Sequence, residues 1–337
     1  MPSTDLIENK PVASYSNAYR SGRFAVCHGL RGTVGRDMTR PRQLADAPSL
    51  TATVPRQLVH RAALSETLLT GWRRTGEDRF SVSAQWPRAH GLHVSPDWSA
   101  YDPLLVVETV RQAGTLITHA EYGVPLDHQF VMQEFQVHAV AEKLAVDPRP
   151  AEPELELLFA EVQYRGRRLS GARYTARVLR EGEPVAAADV SFTVVAGPVY
   201  RRLRGGRTPE SVTVTPLPAG LSPADVDRAL PTDVVLAPAD GPDRWQLRVD
   251  TAHPVFFDHP LDHVPGMLLL EAARQVARLL GADGRSAVLY HALFHRYAEL
   301  DEPIWIEAKG GHGTDVQVLG TQGESTVFTC LVGTAAR

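Results

Sequence analysis

The chain has 337 residues, a length typical of about two domains, and its net charge is −4 at pH 7. Apolar residues make up 43% and charged residues 22%, as in an ordinary globular protein. No apolar run is long enough to span a membrane, and the first residues lack the apolar segment of a signal peptide. Two cysteines, Cys27 and Cys330, are too few for a disulfide framework. We therefore expect a cytoplasmic protein, and nothing in the charge indicates binding to nucleic acid or a membrane.

The predicted elements follow the same order in two regions. In the first, alternation predicts a strand, an apolar run predicts a buried helix, and four strand-like stretches follow: 80–86, 104–120, 130–140, 154–164, 170–179 and 185–195. The second region repeats this order at 245–249, 267–280, 287–297, 303–308, 315–319 and 326–332. A helix that is apolar on most sides is stable when a sheet wraps around it. The order predicts an α+β fold built from two such units.

Composition sets the domain boundaries. Residues 1–52 are rich in Arg, Gly, Ser, Pro and Thr without a sustained period, and we interpret them as an N-terminal extension. Residues 198–218 have the composition of a linker with a basic patch of four arginines: Arg201, Arg202, Arg204 and Arg207. The predicted domains are therefore 53–197 and 219–337.

An internal repeat is the most informative feature. His90 is followed after seventeen residues by Glu108-Thr-Val-Arg111-Gln112, and His253 is followed after seventeen residues by Glu271-Ala-Ala-Arg274-Gln275. The offset is 163 positions throughout (271 − 108, 274 − 111 and 253 − 90). Similar apolar residues precede each Glu. This match indicates duplication of one unit.

Each repeat places ionisable residues on an apolar helix. Residues three and four apart share a helix face, so Glu108 can meet Arg111 and Gln112, and Glu271 can meet Arg274 and Gln275. Such a pair is consistent with a buried ion pair that fixes packing. Its occurrence at equivalent places in both halves favours function: the carboxylate as general base, the arginine as a phosphate or oxyanion ligand.

The turn before the second helix adds candidate ligands. Val264-Pro265-Gly266 opens this helix, and the amides at a helix start can polarise a thioester carbonyl. His259 and His263 precede it with a spacing seen in metal sites, but Pro260 and Pro265 disfavour a continuous helix there. We expect no metal, and no nucleotide-binding motif indicates a cofactor.

The stretch from His253 to Gln275 resembles the β-hydroxyacyl carrier-protein dehydratases, with Phe256-Phe257 before a His and an acid five residues after Gly266. The loop from His259 to Pro265 is shorter than the dehydratase loop. The first half narrows the resemblance. Gln85-Trp86-Pro87-Arg88-Ala89-His90, the repeat that follows, and Val59-His60 to Trp72 are similar to the A-factor synthase family. The resemblance covers about residues 56–337.

This resemblance implies a double hotdog fold, in which each antiparallel sheet wraps a long central helix. It implies transfer of a β-ketoacyl group from acyl carrier protein to dihydroxyacetone phosphate, then cyclisation to a butenolide phosphate in γ-butyrolactone signal biosynthesis. We expect Glu271 to take the hydroxyl proton, Arg274 to hold the phosphate or orient Glu271, and the Gly266 amides to polarise the thioester. Glu108 and Arg111 complete this site or form a second one. The residues expected to contact substrate are Gln112, Gln275, Gly266, His90, His259 and His263.

Two alternatives stay open. A hotdog dehydratase or thioesterase would act on the acyl thioester without the phosphorylated alcohol. An acyl-binding protein could keep the fold without turnover.

Overall fold

The computed structural model describes residues 52–281, 285–309 and 315–336. The first half contains β1 (Leu69–Gly76), β2 (Arg79–Ala84), helix α1 (Pro103–Ala120), β3 (Gln129–Ala139), β4 (Glu154–Arg165), β5 (Arg168–Arg180) and β6 (Glu183–Val195). The short helix α2 (Gly197–Leu203) precedes β7 (Leu236–Pro238), β8 (Arg244–Leu247), helix α3 (Gly266–Leu280), β9 (Arg285–Phe294), β10 (Ile304–Ala308), β11 (Asp315–Gln322) and β12 (Ser325–Ala336). The predicted extension, residues 1–52, lies outside the described residues except for its last one.

The described strands form one antiparallel sheet of twelve, in the order β1-β2-β4-β5-β6-β3-β9-β12-β11-β10-β8-β7. From either edge to the middle, the two halves follow the same order of elements. The halves join where β3 pairs with β9, with Gln136 opposite His291. The predicted double hotdog of class α+β is confirmed, with the two sheets continuous through this central pair.

The two long helices are buried against this sheet. Every residue of α1 from Leu104 to Val110 is buried, as are Leu268 to Ala277 of α3. The helices also contact each other, because the joined sheet curls around both. Glu108 and Glu271 are therefore held in the interior of the protein. None of the helices described has the length and apolar character needed to cross a membrane.

The helix starts differ. Asp102 precedes α1, and its Oδ1 accepts a hydrogen bond of 2.9 Å from the amide of Leu104. Pro265 is the equivalent residue before α3 (265 − 102 gives the same offset of 163), and it has no side-chain acceptor. The start of α1 is capped, whereas the start of α3 keeps amide donors for a ligand.

The predicted linker is partly ordered. It begins in α2, and Arg204 is buried between Asp262, at 3.0 Å, and Glu299, at 2.6 Å. Arg207 pairs with Glu299 and with Asp301. Arg201 and Arg202 are exposed on α2, so the predicted basic patch is reduced to these two arginines.

Candidate active site

Glu108 is the centre of the first polar cluster. Arg111, one turn further along α1, donates to both carboxylate oxygens, from Nε at 2.8 Å and from Nη2 at 2.7 Å. Arg61 reaches the same carboxylate from the segment before β1, at 2.6 Å. Gln112 donates to it at 2.7 Å. The predicted pairing of Glu108 with Arg111 and Gln112 is observed, and a second arginine joins it.

Glu271 is the centre of an equivalent cluster. Arg274 donates to its two oxygens at 3.0 and 3.1 Å, and Gln275 donates at 2.6 Å. Arg228 completes the cluster with two hydrogen bonds to the carboxylate. Each helix thus holds one carboxylate between two guanidinium groups.

Arg61 and Arg228 were missed by the sequence analysis. They lie 167 positions apart (228 − 61). Val59 and Val226, which are equivalent residues of the two halves, are separated by the same number of positions (226 − 59). The repeat was aligned at an offset of 163, so these arginines fell four positions out of register. Each also donates to the opposite half, Arg61 to the carbonyl of Val255 at 3.3 Å and Arg228 to that of Leu92 at 2.6 Å. They join the two halves and complete the clusters.

The carboxylates are poor proton acceptors. Burial of Glu108 opposes ionisation, but Arg111 and Arg61 outweigh it and hold the pKa of Glu108 well below its usual range. Burial acts in the same way on Glu271, and Arg228 and Arg274 lower the pKa of Glu271 to about 2. Glu271 is also 0% exposed. A base works best with a pKa near the working pH, so this lowered pKa does not favour the expected role of Glu271 as general base.

The two glutamines connect the long helices to the chain segments that precede β1 and β7. Gln112 donates to the carbonyl of Glu66 at 2.8 Å and accepts from the amide of Leu68 at 3.0 Å. Gln275 makes the equivalent bonds to Asp233 and Val235. Both side chains are fully buried. The structure gives them internal partners where we expected contact with substrate.

His90 also has internal hydrogen-bond partners. Its Nδ1 accepts from the amides of Leu92 and His93, and its Nε2 faces Glu66 at 3.4 Å. His253 repeats this arrangement in the second half. His90 therefore organises a loop, and the structure does not bring it to the cavity described next.

A cavity of about 230 Å³ opens beside the Glu108 cluster. Arg61 and Arg111 lie at its polar side, and its walls are mostly apolar. The opposite side is the start of α3, where Gly266 and Met267 line the cavity. A Cβ on Gly266 would lie 3.0 Å from the ring of Phe294, so a glycine allows this close packing. The sequence analysis grouped Gly266 with Glu271, but the structure places it in the cavity of the other cluster, which each half helps to build.

A second cavity of about 260 Å³ lies beside the Glu271 cluster, next to Arg228 and Arg274. Here the capped start of α1 forms the wall. Asp102 Oδ2 lies 3.2 Å from Arg228 Nη1 and 3.6 Å from Arg274 Nε.

Charge distinguishes the two cavities. Two guanidinium groups and one carboxylate leave one positive charge in each cluster. Beside Glu271, Asp102 cancels this charge. Beside Glu108, the equivalent residue is Pro265. Asp258 accepts from the amides of Ala62 and Ala63 and acts on Arg111 at longer range, so neither arginine has a second carboxylate in direct contact among the described residues. Arg111 is also more open, with its side chain 22% exposed against 8% for Arg274. The first cavity is therefore suited to an anion.

His259 and His263 line this first cavity, as does His60. The Nδ1 of His263 lies 2.6 Å from Asp262 Oδ1. Within the described ranges, no group of three or more His, Cys, Asp or Glu side chains is placed to hold a metal ion.

Comparison with known proteins agrees with this architecture. The profile of the family described as "A-factor biosynthesis hotdog domain" matches residues 42–196 and 210–331. A 2-oxo-3-(phosphooxy)propyl 3-oxoalkanoate synthase of Streptomyces virginiae is 47% identical over 291 residues, which cover 85% of this chain and 98% of that protein. A protein of the same name from Streptomyces coelicolor is 38% identical, over 86% of this chain and 96% of its own.

Among solved structures, the 12:0-ACP thioesterase of Umbellularia californica has a similar fold, with a TM-score of 0.50 and 11% sequence identity. The similarity covers 79% of this chain and 100% of that one. At this identity it supports the fold alone. The family match and the sequence relatives go further, and this chain belongs to the A-factor biosynthesis hotdog family.

Proposed function

We propose that this chain is an acyltransferase that moves a β-ketoacyl group from acyl carrier protein to the hydroxyl of dihydroxyacetone phosphate. The product is a 2-oxo-3-(phosphooxy)propyl 3-oxoalkanoate, the ester for which the relatives are named. Its cyclisation gives a butenolide phosphate, a precursor of γ-butyrolactone signals. The observation that carries the proposal is that Arg61 and Arg111 line a mostly apolar cavity and share Glu108 as their one directly paired carboxylate among the described residues.

The phosphate explains the arginine pair. Arginine binds phosphate through two parallel hydrogen bonds, and the charge of the phosphate compensates the excess guanidinium charge. Glu108 keeps both guanidinium groups in place, since each donates to it. We assign Glu108 this holding role and Arg61 and Arg111 the phosphate, and we leave the Glu271 cluster as a structural copy.

The acyl thioester fits the rest of the cavity. Its chain can lie along the apolar wall formed by residues such as Val107, Phe135 and Leu270. The amides of Gly266 and Met267 at the start of α3 can bind the thioester oxygen as negative charge develops on it. In this proposal Glu271 takes no part in the reaction, whereas Gly266 keeps its expected role at the thioester.

The direct test supplies β-ketoacyl carrier protein to the purified protein with and without dihydroxyacetone phosphate. We expect the phosphate ester by mass spectrometry only when both are present. Release of free acid or of a dehydrated acyl chain without the alcohol would instead identify a thioesterase or a dehydratase. Tight binding without consumption of thioester would identify an acyl-binding protein.

The acyl carrier has a candidate docking surface on α2. Arg201 and Arg202 are exposed there, and Val199 and Leu203 are 41% and 69% exposed. Acyl carrier proteins are expected to be acidic, and a basic surface with apolar residues is complementary to an acidic helix. Tyr200, on the same helix, bonds at 2.7 Å to Asp262, next to a residue of the cavity. This hydrogen bond links the proposed docking surface on α2 to the residues beside the substrate cavity.

Replacing Arg201 and Arg202 by Glu is expected to raise KM for the carrier-bound substrate about tenfold at low salt, because encounter is electrostatically steered. KM for a short pantetheine thioester should not change. The matched control is the same reversal at Arg165 and Arg167, which are exposed in the β4–β5 turn. Equal effects of both reversals, or an equal rise for the short thioester, would argue against this docking surface.

A further inference from the structure

His263 lines the cavity, three residues before the amide-bearing start of α3 at Gly266. Its Nδ1 is 2.6 Å from Oδ1 of Asp262. Burial opposes ionisation of Asp262, but hydrogen bonds from His263, Tyr200 and Arg204 hold the pKa of its carboxyl well below the usual range. An ionised carboxylate only accepts, so Nδ1 of His263 carries a proton, and in the neutral imidazole Nε2 then carries the lone pair. This tautomer is the one a general base requires.

Asp262 is itself held rigidly. Arg204 donates to its Oδ2 at 3.0 Å, and Tyr200 donates to its Oδ1 at 2.7 Å. Arg204 in turn binds both oxygens of Glu299, at 2.6 and 2.7 Å. The segment after β6 and the loop after β9 therefore fix the orientation of the imidazole. Such support keeps a catalytic group in a productive position.

The other two histidines that line the cavity, His60 and His259, are less suited to this task, and His60 is bonded to His119 behind it. Nδ1 of His119 lies 2.7 Å from the carbonyl of Val124, so it donates there, and its Nε2 accepts from His60 at 2.8 Å. Burial, and then His119, lower the pKa of His60 to about 3. His60 is thus a weak base. The Nδ1 of His259 is 3.5 Å from Asp258, whose oxygens are bound by the amides of Ala62 and Ala63. That contact is too long to orient the ring well.

We infer that His263 is the general base of the acyl transfer, with Asp262 as its positioning residue. The inference rests on the proposed function. Nε2 of His263 takes the proton from the hydroxyl of the phosphorylated alcohol while that oxygen attacks the thioester carbonyl carbon. The C–S bond then breaks, and the imidazolium returns the proton to the leaving sulfur as thiol. Thioester and alcohol become ester and thiol, with no oxidant or further reactant.

Several charged or titratable groups surround His263 and bear on its pH dependence. They come from α2 and the residue after it, from the loop after β9, from the segment before β1, from α1 and from the turn before α3: Tyr200, Arg204, Tyr297, Glu299, His60, Arg61, Arg111, His259 and Asp262. Protonation of His263 removes the base, so activity is expected to fall on the acid side. This fall is the acid limb of the pH profile, and a variant without His263 should lack it.

The test compares kcat of ester formation for His263→Ala and His259→Ala. We expect His263→Ala to lower kcat by about 100-fold or more with little change in either KM, since general base catalysis contributes about 10²–10⁴. Added imidazole should restore part of the rate, which a purely structural role would not allow. His259→Ala changes the rival histidine of the same cavity and should lower kcat less than His263→Ala does. Asp262→Asn should lower kcat and shift the acid limb, and Tyr200→Phe, which removes only one hydrogen bond to that carboxylate, should have a smaller effect on both.

Three results would overturn the assignment. The first is parental kcat in His263→Ala, and the second is a loss confined to His259→Ala. A loss in His263→Ala that imidazole does not relieve, with the acid limb retained, would also overturn it. The proposed function is tested separately. If the unaltered protein forms no ester, that function fails, whereas ester formation by both the unaltered protein and His263→Ala removes only the base.

Discussion

Pro265→Asp is expected to abolish ester formation while the protein stays folded. The change copies Asp102, whose backbone angles (φ −69°, ψ 134°) nearly equal those of Pro265 (φ −67°, ψ 142°). The new carboxylate should cap Met267 as Asp102 caps Leu104. It should also cancel the positive charge of Arg61 and Arg111, so both phosphate and thioester oxygen lose their partners. We expect kcat/KM to fall about 100-fold to 1,000-fold.

Stability should change little, because the gain of a helix cap, about 1 kcal/mol, offsets the lost rigidity of proline, about 0.4–1 kcal/mol. Urea unfolding measures this. Pro265→Asn is the matched control, since it caps the helix without adding charge. It should lose less affinity for dihydroxyacetone phosphate than Pro265→Asp does. A Pro265→Asp protein with parental kcat/KM would show that the charge of this cavity is not used.

Local pattern was sufficient for most of the fold. The spacing of apolar residues placed α1, α3 and nearly all long strands within a few residues of their observed bounds. The repeat then indicated two copies of one unit. The strand β1 was missed because two bulges break its pairing with β2 and its burial does not alternate. The three-residue β7 is too short to give a periodic signal.

The site was only half visible in the sequence. Glu108 and Arg111 are neighbours on one helix, so their meeting follows from helical geometry alone. Arg61 lies 47 residues before Glu108 and is brought to it by tertiary structure. The choice between clusters depends on Asp102 and Pro265, which lie at the start of the opposite helix. Such a distinction requires knowing which helix start faces which cluster, and the helix pattern does not contain that information.

This asymmetry gives the duplication a functional meaning. Both clusters contain a carboxylate, two arginines and a glutamine. Each cluster also connects a long helix to the chain segment that precedes the first strand of its half. In the Glu271 copy, Asp102 lies close to both arginines, so the buried charges are balanced within the protein. In the proposed function, the arginines of the Glu108 copy bind the phosphate of the substrate instead. In this proposal one copy of the cluster binds substrate and the other is structural. The residue at the start of the opposite helix, Pro265 or Asp102, decides between these roles.

Arg111→Met should disable the phosphate site. Arg111 binds Glu108 through two oxygens, and without it Glu108 keeps Arg61, so one carboxylate and one guanidinium remain paired. The cavity then has no excess charge. We expect KM for dihydroxyacetone phosphate to rise and kcat/KM to fall by about 100-fold to 1,000-fold. Arg111→Lys should not restore it, because lysine cannot make the paired bonds.

The control removes the equivalent arginine while keeping the charge balance. Arg274→Met with Asp102→Asn leaves Glu271 paired with Arg228, and asparagine still caps α1. This double variant should lose some stability, yet its kcat/KM per folded protein should stay close to the parental value. Steady-state kinetics at several concentrations of dihydroxyacetone phosphate, with circular dichroism to measure the folded fraction, separates the two effects. If the double variant lost activity as Arg111→Met does, the Glu271 cluster would share the chemistry. If it alone lost activity, our choice of cluster would be reversed, since that choice rests on the charge balance and on the greater exposure of Arg111.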